Sequence, residues 1–244
     1  ASTHYHRLVF EIFYLSYLYA TLNKVDIPSF YRERLIKMAD YTAHYTQPDG
    51  LCPLIGDNDD ARILPFGLQE INDHRYVTEL AYLGLGEKEG LAITPSDKTE
   101  LYWYFEKEKL QKLTSYKSAA IKSKAFPKGG YYIMRHGNNH VFICCAPLGL
   151  KGRGGHSHND ALSFELVLRG EKIITDSGSY IYTGDYKSRN KFRSTAAHNT
   201  PYIEGVEINA FPGEKMIWSL KDEAKAECMI WEETDEYILF RGRH

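Results

Sequence analysis

The chain lacks any run of 18 apolar residues, so no segment of it is expected to cross a membrane as a helix. It also lacks a dominant charge. Its 30 Lys and Arg face 32 Asp and Glu, a formal net of −2, which argues against a general nucleic-acid binder yet leaves room for a local basic cleft that receives an anionic polymer. Cysteine is scarce: Cys52, Cys144, Cys145 and Cys228 form no CxxC pair, and the adjacent Cys144 and Cys145 would face opposite sides of a strand, so all four read as small core residues. There is no initiating Met, and neither the charged nor the apolar region of a signal peptide precedes the first helical pattern. The expectation is a piece of a longer protein. No repeat, low-complexity tract or flexible linker interrupts the 244 residues.

What is there falls into two patterns. From Thr3 to Leu22 apolar residues at Leu8, Val9, Ile12, Phe13, Leu15, Tyr17 and Leu18 are too dense for a narrow stripe, which predicts a helix buried on most sides. Pro28 opens a second helix, from Ser29 to about Thr46, with Phe30, Leu35, Met38, Ala39 and Tyr45 towards a core. Gln47-Pro48-Asp49-Gly50 is a turn, Ile55 to Arg62 a polar loop, and weaker helices follow over 70–86 and 97–116. Beyond Ser118 the period changes to short β-rich runs at 129–135, 139–145, 162–168 and 172–175. Tyr237 to Gly242 reads as a further strand leading into a turn, with nothing after it to pair with. The fold class predicted is α+β, a helical part over residues 1–117 followed by an antiparallel sandwich over 118–244, with the boundary between 116 and 122.

The chemistry centres on Gly152-Arg153-Gly154-Gly155-His156-Ser157-His158-Asn159-Asp160. Paired glycines permit positive φ, and in a strand His156 and His158 would share one face. Asp176 closes a later apolar run and His198 lies further on; two His and one Asp from three segments make a ligand set for Zn²⁺ with a position left for water. The plainer reading is that these are surface or hydrogen-bonded histidines, since scattered ligands carry no compact signature.

The run from Gly155 to Phe164, then Gly170-Glu171, Asp176-Ser177-Gly178-Ser179-Tyr180, Phe192-Arg193-Ser194-Thr195 and His198-Asn199-Thr200 resembles the sandwich half of the heparinase II/III-like polysaccharide lyases. The similarity covers about residues 120–210 in order. It implies an active-site histidine at His156, a zinc held by His158, Asp176 and His198, and a helical part that forms the last turns of an (α/α) toroid. It further implies that the partner is an anionic polysaccharide, and that the protein is periplasmic or secreted.

At the other end of the chain stands His4-Tyr5-His6-Arg7. On a helix His4 and His6 point about 200° apart and cannot chelate one ion together; by position alone they cover a helix start. The resemblance matches Tyr5 to the catalytic tyrosine of the lyases, with His6 as a supporting, substrate-side residue. β-Elimination on a uronate needs the C5 proton removed, the carboxylate neutralised and the leaving oxygen protonated. A tyrosine can serve as acid and, with cations nearby, as base, while His156 would act as base or charge stabiliser. A hydrolytic zinc is disfavoured because no glutamate sits inside the His motif.

Arg7 and Arg193 are local candidates for the uronate carboxylate, because the upstream Asn or His of the lyases lies outside these residues. Arg193 could as readily pair with a nearby acid. Tyr182, flanking Ile181 with Tyr180, could stack on a sugar, although core packing is commoner for an aromatic. Lys187, Arg189 and Lys191 form a basic cluster that could line a cleft or simply be solvated. Asp57, Asp59 and Asp60 lack the later Glu of an EF-hand and read as a structural loop. The second functional reading is a non-catalytic carbohydrate-binding or polysaccharide-assembly protein that keeps zinc without turnover.

Overall fold

The computed structural model describes residues 2–86, 96–116 and 120–244. The chain divides into two compact units, one built from His4–Cys52 and Asp59–Ile121, the other from Lys122–His244 with Pro53–Asn58 and the first residues through Thr3. Part of the boundary expected between 116 and 122, residues 117–119, lies outside the described residues.

The first unit is helical: α1 (Thr3–Leu22), α2 (Ser29–Tyr45), α3 (Tyr76–Leu85), a 3-10 turn at Glu100–Trp103 and α4 (Lys107–Ser115). Its core gathers Phe10 and Tyr14 of α1, Leu35 and Ala39 of α2, Val77, Leu80 and Ala81 of α3, then Leu101, Phe105 and Leu110. Each large side chain fully withdrawn from water contributes roughly 1.5–3 kcal/mol. Only one side of α1 is used for this, because Ile12, Phe13, Tyr19 and Leu22 are exposed, so the expectation of a helix buried on most sides is not met within these residues. Phe30 is exposed as well, one turn before the buried Leu35 face begins. Inside the unit Glu11 accepts from Arg62 Nε (2.6 Å), from the Ile63 amide (2.8 Å) and from the Tyr76 hydroxyl. A buried carboxylate with these donors is satisfied rather than reactive.

The second unit carries a five-stranded antiparallel meander, β1 (Lys124–Phe126), β2 (Tyr131–His136), β3 (Asn139–Cys144), β4 (Ser163–Leu168) and β5 (Glu171–Ile174), each strand pairing with the next. The β4–β5 turn has φ of 55° at Arg169 and 87° at Gly170, the two positive angles a type I′ hairpin demands. A separate two-stranded sheet joins β6 (Glu227–Glu233) to β7 (Ile238–Arg243). The strand expected at 237–242 therefore has its partner before it; β6 hides in a charged segment, ECMIWEE, that carries no clean alternation. Tyr132 of the larger sheet packs on Trp231 (5.5 Å between ring centroids) and Phe240 (4.9 Å) of the smaller, closing a core with Ile143 and Cys145. Two stacked antiparallel layers with an α+β order match the predicted class at that level. All four cysteines are free thiols.

Outside β4 and β5 the chain between β3 and β6 is mostly irregular, with a distorted turn α5 (Gly149–Gly152), one short helix, α6 (Tyr186–Phe192), and a 3-10 turn at Thr195–Ala197. Asp185 caps α6 by accepting from the amides of Lys187 and Ser188. This start fixes which side chains turn inwards. Arg189 and Arg193, four apart, are buried, while Lys187 and Lys191 face solvent.

Candidate active site

The histidine segment is not a strand. Gly152 and Gly154 take φ of 87° and 68°, and a side chain at Gly154 would stand 3.0 Å from the Leu220 Cβ, so the chain turns tightly and enters β4 only at Ser163. His156 and His158 nonetheless meet one group, the Asp57 carboxylate. Asp57 Oδ2 lies 3.0 Å from His156 Nδ1 and Oδ1 lies 2.8 Å from His158 Nε2. Arg189 Nη1 pairs with the same Oδ1, and both side chains of that ion pair are fully buried.

Asp57 is brought there by the segment Pro53–Asn58, which is stitched along the sheet unit. The Leu54 amide donates to Glu165 (2.6 Å), Gly56 to Asp160 (3.2 Å), Asp57 to the His156 carbonyl (3.1 Å) and Asn58 to Ser179 Oγ (3.1 Å). Burial alone would raise the Asp57 pKa, but the hydrogen bonds from His156 and His158, with the charge of Arg189, hold it well below the usual carboxylate range. An ionised Asp57 accepts protons from both imidazoles. Its bond to His156 Nδ1 puts the lone pair of that ring on Nε2, and the His156 side chain is 29 % exposed.

His158 is fully buried by contrast, and its Nδ1 has no hydrogen-bond partner. Its ring lies 5.2 Å from that of His198, whose Nδ1 bonds Asp176 Oδ2 at 2.6 Å and whose Nε2 is likewise buried without a partner. Two orphaned imidazole nitrogens in one buried cluster are costly unless something accepts their lone pairs. Asp160 is buried as well, within electrostatic reach of both imidazoles. Burial pushes the Asp160 pKa up, while the nearby imidazoles pull it down. Burial lowers His158; for His198 it is outweighed by the Asp176 hydrogen bond and the charges of Asp176 and Asp160, which raise the pKa. Two buried imidazole nitrogens without partners, beside the Asp160 and Asp176 carboxylates, fit a divalent cation. The three residues predicted as ligands thus share one neighbourhood, but Asp176 is engaged by His198 and by the Gly178 amide (2.9 Å).

Among the described residues, the His, Cys, Asp and Glu group whose ligand atoms all come within 4.8 Å of one another is another one, His4, Cys52 and His74 of the helical unit. By distance it could hold a metal; its chemistry is less suited. His4 Nε2 bonds Asn72 (2.8 Å), His74 Nδ1 bonds the Tyr45 hydroxyl (2.9 Å), and the Arg7 guanidinium sits 3.2 Å from His74 Nε2. A fixed cation at that range repels another.

Several expected roles change once the side chains are seen. Arg7, 1 % exposed, donates to the carbonyls of Ile71 (2.6 Å), Asp59 (3.2 Å) and Ala61 (3.0 Å), so it organises a loop instead of meeting a substrate carboxylate. Arg193 is also fully buried and donates to Asn190, Ser219 and Met216. His6 turns its Nε2 to the Met38 carbonyl (3.0 Å) and packs on Tyr41 and Tyr45, which commits it to the α1–α2 contact. Tyr5 is partly exposed and donates its phenol proton to Asp59 Oδ2 at 2.7 Å. Tyr182 meets Trp218 edge to face at 5.1 Å, whereas Tyr180 stacks on Phe192.

An α+β protein with a helical unit, a two-layer antiparallel unit and a buried His–Asp–Arg constellation is the class that fold and site define. Residues 119–242, half of the chain, match the heparinase II/III-like C-terminal domain, and the chain belongs to that family. It is 26 % identical over 117 residues to a heparin-sulfate lyase of Bacteroides stercoris, a match covering 45 % of this chain and 17 % of that protein. Among solved structures, a heparan sulfate lyase mutant from Pedobacter heparinus superposes with a TM-score of 0.68 at 20 % identity, over 99 % of this chain and 33 % of that one. A heparinase III gene product gives 0.65 at 22 % identity, again over 99 % and 33 %. The chain therefore spans about a third of the length of these solved relatives and less of the curated one.

Proposed function

We propose that this chain is part of a polysaccharide lyase, a carbon–oxygen lyase that cleaves a uronate-containing glycosaminoglycan by β-elimination. The observation that carries the reading is the partly exposed His156, held through Nδ1 by a buried, ionised Asp57 in a chain of this family. Such a pairing orients an imidazole and stabilises the cation it becomes on taking a proton. His156 Nε2 accepts the C5 proton of the uronate, the C5–H electrons form the C4–C5 double bond, and the C4–O bond breaks with its pair on the leaving oxygen. Tyr5 protonates that oxygen. Its proton already rests in a hydrogen bond to Asp59, which favours service as acid over service as base.

His158 and His198, with Asp176, are the residues that would hold a zinc. Bound there it would supply a fixed dication that orders the His156 segment and its neighbouring loops. On the same reading the helical residues 1–117 form the last turns of an (α/α) toroid and 118–244 the start of the sandwich. The polymer is met outside the cytoplasm, in the periplasm or beyond the cell. The heparan sulfate named for the relatives is the first substrate to try.

The test uses the full-length, zinc-loaded protein with heparan sulfate, following the ultraviolet absorbance of the unsaturated uronate product. Tyr5→Phe and His156→Ala are each expected to lower turnover by about 10²-fold or more, the range for a proton-transfer group, with folding and zinc content unchanged. Unimpaired turnover in Tyr5→Phe removes Tyr5 from the chemistry. A wild-type protein that binds uronate polymers without forming the product is instead a carbohydrate-binding or assembly module.

A further inference from the structure

The sheet unit carries a half-exposed aromatic group that the reaction above does not use. Trp218 is 40 % exposed, and its indole meets the His156 ring at 5.5 Å and 64° on one side and the Tyr182 ring at 5.1 Å and 76° on another. Beneath both aromatics lies Arg189, whose guanidinium carbon is 5.2 Å from the Tyr182 ring and 5.4 Å from the Trp218 ring. That cation is the one paired with Asp57. The indole is therefore joined through one buried ion pair to the carboxylate that holds His156.

The turn that bears Trp218 is fastened on both flanks. Arg193, fully buried, donates to the Met216 carbonyl (3.2 Å) and the Ser219 carbonyl (3.0 Å), while the Leu220 amide donates to the Arg153 carbonyl (3.1 Å). A large aromatic left partly in water on a turn pinned this way is a preorganised surface, not a flap. A half-exposed indole beside a catalytic imidazole offers π surface to a ligand with a flat array of C–H groups, and pyranose rings have one.

We propose that Trp218, with Tyr182 beside it, is a stacking platform for a sugar residue of the glycan beside the uronate that reacts at His156. This inference rests on the lyase reading and adds a subsite to it. Arg193, expected to bind a substrate carboxylate, then serves by holding the platform in place.

The test compares wild-type, Trp218→Ala and Trp218→Phe in the full-length protein, using a heparan sulfate tetrasaccharide and two readouts, calorimetric binding and steady-state turnover. Trp218→Ala should weaken binding and raise KM about ten-fold, the effect of one lost stacking contact near 1.4 kcal/mol, with kcat changed less than three-fold. Trp218→Phe should keep most of the affinity, and the wild-type fluorescence change on binding should shrink in it. Equal tetrasaccharide affinity for wild-type and Trp218→Ala overturns the platform and leaves the lyase reading standing. A lower kcat at unchanged KM also overturns it, since that marks a role in chemistry or folding. A wild-type protein that neither binds nor cleaves the tetrasaccharide overturns both.

Discussion

Asp57→Asn is the substitution that asks most of the structure. The change is nearly isosteric, yet it removes the charge that balances Arg189 and turns one of the two oxygens that accept from the imidazoles into a donor, in a place where Asp57 and Arg189 are both fully buried. Breaking one partner of a buried ion pair costs about 3–5 kcal/mol, mostly because the surviving charge is left stranded. Taking about 4 kcal/mol, and about 2–4 °C per kcal/mol for a domain of this size, the melting temperature of the sheet unit should fall by roughly 8–16 °C. The assay is thermal unfolding followed by near-ultraviolet circular dichroism at pH 7, where the carboxylate is ionised. A double substitution, Asp57→Asn with Arg189→Met, should lose less than Asp57→Asn alone, because the second change removes the stranded cation. A shift below about 2 °C for Asp57→Asn, or a double variant worse than the sum of the singles, refutes the ionised hub.

Acid should loosen the helical unit. Burial, then the charge of Arg7, depresses His4 from 6.5 to about 4, and burial depresses His6 to about 4, against its Met38 bond. A depressed imidazole contributes stability that is present above pH 6.5 and is lost as pH falls, about 2 kcal/mol for each of these by pH 5. Burial lowers His74 in the same direction, whereas Glu79, raised by burial to about 7, acts oppositely by about 2 kcal/mol over the same range. The urea midpoint should therefore drop between pH 7 and pH 5, and a constant or rising midpoint contradicts the neutral buried histidines. His158→Ala and His198→Ala should each lower zinc content measured by elemental analysis, and should lower melting temperature by more in zinc-loaded than in zinc-free protein; full zinc content in both would end the metal assignment.

Periodicity and turn chemistry made the two helices at 3–22 and 29–45 and the strands β2 to β5 readable, because these patterns are local. The exposed side of α1 was not readable in the same way: a dense apolar count says that a helix seeks cover, not which residues supply it. β6 was missed because glutamates and a tryptophan in a half-exposed hairpin carry little alternation. At the site, the histidines were visible as a motif but their shared partner was not. Asp57 precedes His156 by 99 positions, inside what reads as an acidic loop, and only the packing of Pro53–Asn58 on the sheet unit reveals it.

Arg189 shows how much of that gap is a matter of phase. Beside Lys187 and Lys191 it reads as one of three solvated cations, yet a helix started by Asp185 turns alternate members of such a cluster to opposite sides. The inward pair, Arg189 and Arg193, then separates the two tasks that the sequence had merged into substrate binding. Arg189 neutralises the carboxylate that orients His156 and His158, and Arg193 ties down the turn bearing Trp218. Neither guanidinium has a surface to offer a polymer. Both are fully buried, so any attraction this unit exerts on an anionic glycan has to come from exposed groups such as Lys187 and Lys191. Those charges are screened by salt, whereas the buried pairs are screened far less, so on the proposed lyase reading ionic strength should weaken glycan capture without disturbing the geometry of His156.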